Sequence, residues 1–509
     1  MTTQYHPDLG GDLIPNIIRR YLHQEKGFES LTQFPPRIQR IGEAIKAKKF
    51  SLTSRKILQN ILLEQYRKIE KSDAVRHNIE KITDARTFTV TSGQQLHPFL
   101  GPVFFATKIL DTIQMATRLK EEFPDYHFVP IFWMAGEDHD FEEINTFKLY
   151  DERYKWDDYQ GGAVGRYKTD SLLQILDKVG KRIDSNEKNQ ILMDALRKAY
   201  NSAPQLDLGM QILLNEIFGD LGLVVINPDN EELKAQFFPI AQKEMEESFA
   251  LKCMESIKNT LSENQIKWQL NPRKINLFRL EKSKRSLITK KMKIHPSEIS
   301  PNAVLRPIFQ EIILPNVAFI AGPSELNYWL QLKPIFDYLD LSMPIVFPRN
   351  INYFLPKKKW NQVSHDFKLI ELMTFGSSEI TMQLLKKSEG KKNEIQQLGV
   401  ELSKNLETYE KLFRKELPEN GKLNKKWAQF KQDAYHLQRT VDKHLMNQKM
   451  TQPNNSRILK LKEQFFNQNK MIERNSHVIE RFAQIWEAKS QSSLYKVSFE
   501  EVKFALHVV

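Results

Sequence analysis

The chain has 509 residues, of which 40% are hydrophobic and 10% aromatic. This apolar content can fill real cores and excludes an intrinsically disordered protein, and the length predicts two or three compact units. The single cysteine, Cys253, excludes a disulfide framework and argues against a thiolate metal site. The first residues lack a basic start followed by an apolar run, and no stretch of about 18 apolar residues occurs. We therefore expect a soluble, cytoplasmic protein without a membrane span.

The formal net charge is +12, which raises nucleic acid or an anionic substrate as a partner. Between residues 376 and 490, 22 Lys and Arg stand against 14 Asp and Glu, so most of the excess lies in this C-terminal part. It lacks the aromatic residues interleaved with basic ones that would stack on bases. Nucleic acid is therefore not the expected partner.

Residues 1–80 are predicted to be helical, because apolar side chains recur at helical spacing in 51–71 behind serine and threonine residues that suit a helix start. Beyond residue 80 come five short, continuous apolar runs, which are typical of parallel strands covered on both faces. In chain order they are RTFTVTSGQQ (86–95), HFVPIFWMA (127–135), LGLVVIN (221–227), NVAFIAG (316–322) and MPIVFPRN (343–350).

Helical patterns alternate with these strands, so the predicted fold class is α/β, with a doubly wound, Rossmann-like parallel sheet in residues 81–375. Segments at about 150–205 and 229–315 are expected to be insertions into this core. We predict that the second insertion is mainly helical.

Four glycines mark the turns of the predicted core, in a chain that has only 19 glycines. Gly93, Gly101, Gly136 and Gly322 follow predicted strands or precede predicted helices, where the backbone must turn sharply or approach a ligand. Ligands of open α/β sheets bind beyond the carboxyl ends of the strands. These turns are therefore expected to meet at one crevice.

Residues 376–490 are predicted to form a basic, helical arm. A helix at about 389–416 ends at PENG (418–421), and an apolar seam with spacings of three and four begins at Trp427. This pattern indicates packed helices rather than a catalytic module.

A short turn divides the second half of the arm. TQPNNS (451–456) contains Pro453, which forbids a continuous helix, and a heptad-like seam then runs to Trp486. Helices joined by so short a turn are expected to pack antiparallel, as a coiled-coil hairpin. Residues 491–509 are assigned to a C-terminal tail.

The densest polar cluster directly follows the second apolar run and contains Glu137, Asp138, His139 and Asp140. A buried strand that ends in four ionisable groups places them in the crevice, where carboxylates can hold an ammonium group, sugar hydroxyls or Mg²⁺ and the histidine can move a proton. The alternative is a solvated acidic loop in which Asp140 caps the next helix. With one histidine and no cysteine, a dedicated zinc site is not expected.

The loop after the first apolar run offers Gly93, Gln94, Gln95 and Gly101. Backbone N–H groups ahead of a helix can bind phosphate or carboxylate oxygens, and the two glutamines can add amide contacts. The loop matches neither a Walker A motif nor GxGxxG, so an ordinary strand-to-helix turn is an equal alternative.

The fourth run leads into Gly322, Ser324, Glu325 and Tyr328. Glu325 and Tyr328 are candidates to face the crevice, whereas the alternative is a capped helix with Trp329 in the core.

Three arginines near predicted elements, Arg166, Arg306 and Arg349, are candidates to pair with carboxylates of a ligand. Ion pairs at the protein surface are the alternative. The basic run 282–285 faintly resembles the lysine loops of class I synthetases, and a solvated basic face is favoured there.

Several longer strings resemble the BshC family of bacillithiol biosynthesis. In chain order they are TVTSGQQ…GP…K, PIFWMAGEDHDFEEIN, QGGAVGR, NAVLRPIFQEIILPNVAFIAGPSELNYWLQLKPIFD and MPIVFPRN. The resemblance runs from about residue 80 to 350 and departs from the family at Leu96-His97-Pro98 and after Trp486. It implies a class I synthetase-like Rossmann core with inserted connecting segments, a C-terminal coiled coil and a homodimer.

The resemblance also implies the last step of bacillithiol synthesis, in which cysteine is joined to glucosaminyl-malate. Amide formation in water needs an activated acid, so ATP with Mg²⁺ is the expected energy source. On this account the Gly93 loop holds phosphate, Glu137, Asp138 and Asp140 hold the cysteine ammonium or sugar hydroxyls, and His139 is the base. Arg306 or Arg349 takes the malate carboxylates.

Two alternatives remain open from the sequence. A class I-like ligase or nucleotidyl transferase with another substrate would have the same sheet. A non-enzymatic scaffold would bind RNA or a partner through the basic arm.

Overall fold

The computed structural model describes residues 2–6, 15–150, 152–183, 186–355, 361, 394–416, 421–450, 476–490 and 504–508. The chain divides into two compact units. The first comprises Met1–Phe354 together with Glu473–Val509, and the second comprises Leu355–Ile472.

The core of the first unit is a five-stranded parallel sheet, and each strand lies in one of the five predicted apolar runs. Its strands are β2 (Thr87–Gln94), β3 (His127–Met134), β6 (Val224–Ile226), β10 (Asn316–Ala321) and β11 (Ile345–Pro348). Nearly every residue of these strands is buried, which explains the apolar runs at β3, β6, β10 and β11. In β2, whose residues alternate between apolar and polar, the threonines are buried as well. The α/β, Rossmann-like prediction is confirmed.

The order across the sheet is β11-β10-β2-β3-β6. From β2 the chain adds β3 and then β6 on one side of the sheet. It then returns to the other side of β2 and adds β10 and β11. The point of reversal lies between β2 and β10, where the crossover connections leave a crevice at the carboxyl ends of the strands. The sheet therefore places its binding crevice beside Gly93 and Gly322, which follow or end these two strands.

Helices and short hairpins surround this sheet. The helices of the first unit are α1 (Asn16–Leu22), α2 (Ile41–Ala47), α3 (Leu52–Gln65), α4 (Asp73–Lys81), α5 (Val103–Glu122), α6 (Phe141–Ile144), α7 (Asp170–Gly180), α8 (Glu187–Ser202), α9 (Leu206–Phe218), α10 (Glu231–Glu247), α11 (Phe249–Ser256), α12 (Lys258–Glu263), α13 (Arg306–Ile313), α14 (Pro323–Trp329), α15 (Lys333–Tyr338) and α18 (Val478–Ser490). The remaining strands are β1 (Thr2–His6), β4 (Thr146–Leu149), β5 (Glu152–Lys155), β7 (Leu277–Leu280), β8 (Arg285–Leu287), β9 (Ile299–Pro301), β12 (Ile351–Leu355) and β13 (Phe504–Val508).

The segment between β6 and β10 differs from the mainly helical insertion that the sequence predicts. Helices α10 to α12 form its first half, but its second half contains an antiparallel sheet in the order β8-β7-β9. These strands are only three or four residues long, too short for their periodicity to be recognised.

The C-terminal residues belong to a different part of the protein from the one predicted. Helix α18 belongs to the first unit rather than to the arm, because the segment around it pairs with the core: Val103 N–H donates to Ser476 O (2.8 Å) and Val478 N–H to Gly101 O (2.9 Å). The predicted tail contributes β13, which lies between β1 and β12 in a three-stranded sheet.

The second unit contains α16 (Glu394–Glu416) and α17 (Gly421–Met450). The Trp427 ring lies 4.8 Å from Tyr409 and 5.9 Å from Phe413, and the Ser403 hydroxyl donates to Gln438 (3.0 Å). Residues late in α16 thus meet residues early in α17, so these two helices pack antiparallel. The predicted turn at 451–456 and most of the seam after it lie outside the described residues, and the coiled coil stays a prediction.

Within the part of the chain that the structure describes, no helix is both long enough and apolar enough to cross a membrane.

One buried ion pair joins the N-terminal helices to the sheet. Lys48, just after α2, lies 2.7 Å from Glu311 on α13, and their side chains are 4% and 0% exposed. Glu311 also accepts a hydrogen bond from Asn316, the first residue of β10 (2.8 Å).

We therefore expect Lys48→Met to lower the free energy of unfolding by about 3–5 kcal/mol, because it leaves the Glu311 carboxylate buried and unpaired. The neighbouring Lys49 provides the control, since its pair with Asp340 is 79% and 87% exposed and Lys49→Met should change little. Denaturant unfolding of the two variants checks this, and equal midpoints would contradict it.

Candidate active site

A cavity of about 670 Å³ lies at the carboxyl ends of the strands, at the reversal point between β2 and β10. Its walls come from the loops after β2, β3, β10 and β11, from α5 and α13, and from the inserted β7-β8-β9 sheet. Eleven residues predicted for the site line it, namely Gly93, Gln94, Gln95, Glu137, Asp138, Arg306, Gly322, Ser324, Glu325, Tyr328 and Arg349. Turns distant in sequence thus meet at one crevice.

Five other predicted residues do not line this cavity. His139 and Asp140 line a neighbouring surface depression instead, together with Tyr159. Gly101, Gly136 and Arg166 contact other residues of the protein, as described below.

The reversal point is bridged by Lys108, a buried lysine of α5. Its ammonium group donates to Gly93 O at the end of β2 (2.7 Å) and pairs with the Glu325 carboxylate on α14, after β10. Burial lowers the pKa of Lys108, although Glu325 acts in the opposite direction. Glu325 also accepts a hydrogen bond from Gly322 N–H (2.7 Å), so one ion pair fixes both loops.

Asp138 is the carboxylate of the β3 loop with the most partners. Its oxygens accept hydrogen bonds from the Gln95 amide (2.8 Å) and from His139 N–H (2.8 Å), and they pair with Arg285 (3.3 Å). Burial opposes ionisation, but Arg285, Gln95 and the His139 N–H outweigh it and hold the pKa of Asp138 below its usual value. Asp138 is therefore a fixed negative charge.

Arg285 reaches this loop from the inserted sheet. Its guanidinium lies 4.0 Å from the centre of the Phe278 ring and donates to the Ser300 hydroxyl (3.2 Å) and to Pro301 O (3.0 Å). The side chain is 7% exposed. The insertion thus contributes a buried cation to the cavity.

Glu137 belongs to a second charged network. It lies 2.6 Å from Lys234 on α10, which also lies 2.6 Å from Asp229, and Asp229 accepts two hydrogen bonds from Arg166 (2.7 and 3.0 Å). Burial raises the pKa of Glu137 and the nearby Asp229 adds to this, whereas Lys234 opposes it. Arg166 thus forms a partly buried ion pair with Asp229 and does not line the cavity, contrary to the prediction that it binds a ligand.

Two glycines let the loop after β3 pack directly on the QGGAVGR segment. Gly165 N–H donates to Gly136 O (2.8 Å) and Val164 N–H to Asp138 O (2.8 Å). A Cβ on Gly165 would lie 3.1 Å from both Cα and O of Gly136. The close approach of two backbones explains these glycines better than contact with a ligand does.

Two arginines supply positive charge on the β10 and β11 side of the cavity. Arg306, at the start of α13, donates to the Tyr328 hydroxyl (3.2 Å). Arg349 donates to Asn350 O (2.9 Å) and lies over the Phe104 ring (5.4 Å). The buried Asp111 of α5 holds this loop, accepting from Asn350 N–H at 2.8 Å.

Several backbone N–H groups of the loop from residue 95 to 103 are hydrogen-bonded within the protein. His97 N–H donates to Gln95 O (2.9 Å), Phe99 N–H to the Tyr200 hydroxyl (2.9 Å) and Gly101 N–H to Pro98 O (3.2 Å). A binder of phosphate would therefore depend on side-chain cations more than on this backbone. The Leu96-His97-Pro98 departure is accommodated by burial, which lowers the pKa of His97 to about 4.

His139 lies at the rim of the cavity. Its Nδ1 atom is 3.2 Å from the Arg285 guanidinium and 3.3 Å from Asp138, and its side chain is 51% exposed. Asp140 accepts from Glu143 N–H (3.2 Å) and caps α6, the alternative considered for it.

Sequence reasoning missed four charged residues of these networks, Lys108, Asp229, Lys234 and Arg285. Lys108 and Lys234 lie within amphipathic helices, where a lysine is usually solvent-exposed. Arg285 lies in the basic run that was interpreted as a solvated face. The signal that could have found Asp229 is its position directly after the third apolar run, like Asp138 after the second.

Comparison with known proteins identifies the family. The family described as "Bacillithiol biosynthesis BshC, N-terminal Rossmann-like domain" matches residues 8–294 and 287–350. Proteins named "Putative cysteine ligase BshC" are similar to this chain. That of Flavobacterium johnsoniae is 36% identical over 357 residues (66% of this chain, 67% of the relative), that of Christiangramia forsetii 36% over 361 residues (66% and 67%), and that of Cytophaga hutchinsonii 33% over 360 residues (67% of each).

The contact between Gly136 and Gly165 leads to a stability prediction. We expect Gly165→Ala to destabilise the protein by about 1–3 kcal/mol, because the added methyl group forces two hydrogen-bonded backbones apart. Gly42→Ala is the control. Gly42 lies within helix α2, and a Cβ there would meet only Phe123, at 3.6 Å. We expect this substitution to raise the free energy of unfolding by about 0.4–1 kcal/mol. Thermal unfolding compares them, and an unchanged melting temperature for Gly165→Ala would disprove the packing argument.

Proposed function

The chain belongs to the BshC family of bacillithiol biosynthesis, and we propose that it is a ligase that joins the carboxyl group of cysteine to the amine of glucosaminyl-malate. The observation that carries this proposal is the distribution of charge in the cavity. Glu137, Asp138 and Glu143 follow β3, whereas Arg306 and Arg349 come from the start of α13 and from the loop after β11. The other two cations of the cavity wall, Lys108 and Arg285, are paired with Glu325 and Asp138.

The two charged sides are separated by the width of the sheet between them. The order β11-β10-β2-β3 places Arg349 and Asp138 three strand spacings apart, or about 14 Å at about 4.8 Å per strand. A ligand that fits this crevice is elongated, with an anionic group at one end and a cationic group at the other. Glucosaminyl-malate has this character, with two carboxylates on malate and one ammonium group on the sugar.

We assign the malate carboxylates to the side of Arg306 and Arg349. Guanidinium groups bind carboxylates through paired hydrogen bonds, and these two are held by Tyr328 and by the backbone of Asn350. The sugar amine then lies toward Asp138 and the rest of the β3 loop. Asp138 would act there as a fixed negative charge that orients the amine, with Glu137 beside it.

We propose that the phosphates of a nucleotide bind in the same cavity, near the end of β2. The Gly93 loop and Lys108, which is paired with Glu325, line the cavity there. ATP, with Mg²⁺ as its partner, would supply the activation that the cysteine carboxyl needs. The protein itself would position the two reactants side by side, which is a large part of the rate enhancement in amide formation.

The remaining predicted roles stay proposals. His139 lies at the rim, so a role for it in proton transfer requires its ring to turn toward the cavity. We also propose a homodimer and a cytoplasmic location. Equilibrium sedimentation tests the first of these.

We expect a strain that lacks this protein to lose bacillithiol and to accumulate glucosaminyl-malate, because the proposed reaction consumes that compound. Complementation with the unchanged chain should restore the thiol, and Asp138→Ala should not, since it removes the fixed charge next to the amine. His139→Ala, tested in parallel, shows whether the ring takes part. Thiol profiling by mass spectrometry is the measurement.

Bacillithiol at normal levels in the deletion strain would overturn the proposed function. Complementation by both alanine variants would leave the ligase in place but refute the roles of Asp138 and His139. A thiol that differs from bacillithiol would favour a ligase with another acceptor.

Arg306→Gln should raise the KM for glucosaminyl-malate by about 10- to 100-fold, because a hydrogen bond to a charged group contributes about 1.5–3 kcal/mol. Methyl glucosaminide, which has the amine but no malate, provides the matched substrate. The unchanged enzyme should prefer the malate compound, and the variant should lose that preference. Steady-state kinetics with both acceptors measure it; a preference that survives the substitution would place malate elsewhere.

A further inference from the structure

Four carboxylates line the cavity, and three of them are paired with a buried cation. Asp138 pairs with Arg285, Glu137 with Lys234, and Glu325 with Lys108. Each of these three carboxylates is held by its partner cation, and moving the carboxylate to a substrate would leave that cation unpaired in a buried place. The pairs thus give the three carboxylates a structural task.

The fourth carboxylate is Glu143, on the short helix α6. Its oxygen accepts a hydrogen bond from the Gln95 amide (3.3 Å), and the same amide donates to Asp138 (2.8 Å). Among the described residues, no lysine, arginine or histidine forms an ion pair with Glu143. Within the described cavity wall, Glu143 is the carboxylate that forms no ion pair. The Gln95 amide links it to Asp138 by hydrogen bonds to both.

We propose that Glu143 receives the amine of the acceptor: its carboxylate binds the ammonium group and takes the proton that must leave before the nitrogen can attack. This assignment rests on the proposed ligase function. It places the reacting nitrogen between Glu143 and Asp138, on the side of the cavity opposite Arg349.

The surroundings of Glu143 suit a proton acceptor. The Glu143 side chain is partly exposed to solvent. Its partial burial raises its pKa, and the negative charges of Asp138 and Asp140 raise it further, while Gln95 and Arg306 oppose this. These groups come from the loop after β3, the loop after β2 and the start of α13. A carboxylate of raised pKa is a better base than an ordinary one at neutral pH.

The step balances as follows. The acceptor arrives as an ammonium ion and transfers one proton to the Glu143 carboxylate, which becomes a neutral carboxylic acid. The lone pair of the resulting amine attacks the carbonyl carbon of the activated cysteine. The C–N bond forms, the C–O bond to the leaving group supplied by the nucleoside triphosphate breaks with its electron pair, and the second proton is lost from nitrogen to solvent.

Position explains why Glu143 is preferred over His139. Glu143 lines the cavity, whereas His139 lines the neighbouring surface depression, where its Nδ1 atom lies 3.2 Å from the Arg285 guanidinium and 3.3 Å from Asp138. The Glu143 carboxylate is therefore the better placed of the two to receive the amine.

The experiment compares Glu143→Gln with Glu142→Gln in the full-length protein. Glu142 is the adjacent residue of the same helix and does not line the cavity, so its variant controls for loss of charge on α6. Rates of amide formation from glucosaminyl-malate, cysteine and ATP are measured from pH 5.5 to 9, together with binding of glucosaminyl-malate and of its N-acetylated analogue.

We expect Glu143→Gln to lower kcat about 100-fold or more and to abolish the fall in rate on the acid side of the profile, because the titrating base is removed. Glu143→Asp should keep that acid limb at a reduced rate. In the unchanged protein the free amine should bind more tightly than the N-acetyl analogue, and Glu143→Gln should lose this difference. Glu142→Gln should match the unchanged protein throughout.

The outcomes separate the two proposals. Should Glu143→Gln keep the acid limb and the preference for the free amine, the assignment of Glu143 is wrong although the ligase stands. A loss of rate with an unchanged pH profile would reduce Glu143 to a residue that merely positions Gln95, which also overturns it. If the unchanged protein neither binds nor converts glucosaminyl-malate, the proposed function itself fails, and the Glu143 assignment fails with it.

Discussion

The buried contact of Lys108 with Gly93 O and Glu325 is the interaction on which the candidate site depends. A doubly wound sheet separates the loops on either side of its reversal point, because the crossovers leave in opposite directions. A buried cation in that gap needs partners from both loops. Lys108 finds them in Gly93 O at the end of β2 and in the Glu325 carboxylate in the first turn after β10. The same ion pair therefore closes the fold at the crevice and fixes the floor of the cavity.

The inserted segments complete the site that the sheet begins. Arg285 comes from the β7-β8 hairpin and Lys234 from α10, and each neutralises a carboxylate of the loop after β3. Without these cations, Asp138 and Glu137 would repel each other in a buried place and one of them would be protonated. The insertions thus set the charge balance of the β3 loop.

Much of the fold, and the sheet edge of the site, could be predicted from the sequence. The run that became β3 is continuous and apolar, and the run that became β2 is rich in β-branched residues and leads into a glycine. Both the parallel sheet and the position of Gly93 and Asp138 at its carboxyl edge therefore followed from local pattern. The family resemblance is confirmed as well. The partners of these residues could not be predicted, because Lys108, Lys234 and Arg285 lie on helices and a short hairpin whose local sequence is typical of exposed surface. Their burial is decided by tertiary packing, which periodicity does not encode.

The charge pairs also limit which groups remain available for chemistry. Each buried ion pair costs desolvation free energy that the pair itself barely recovers, so a site with three of them gives up stability in exchange for fixed orientation. Such charges can bind and orient a bipolar substrate. The proposed proton acceptor is the carboxylate that stands outside the pairs, and within the described cavity wall that residue is Glu143.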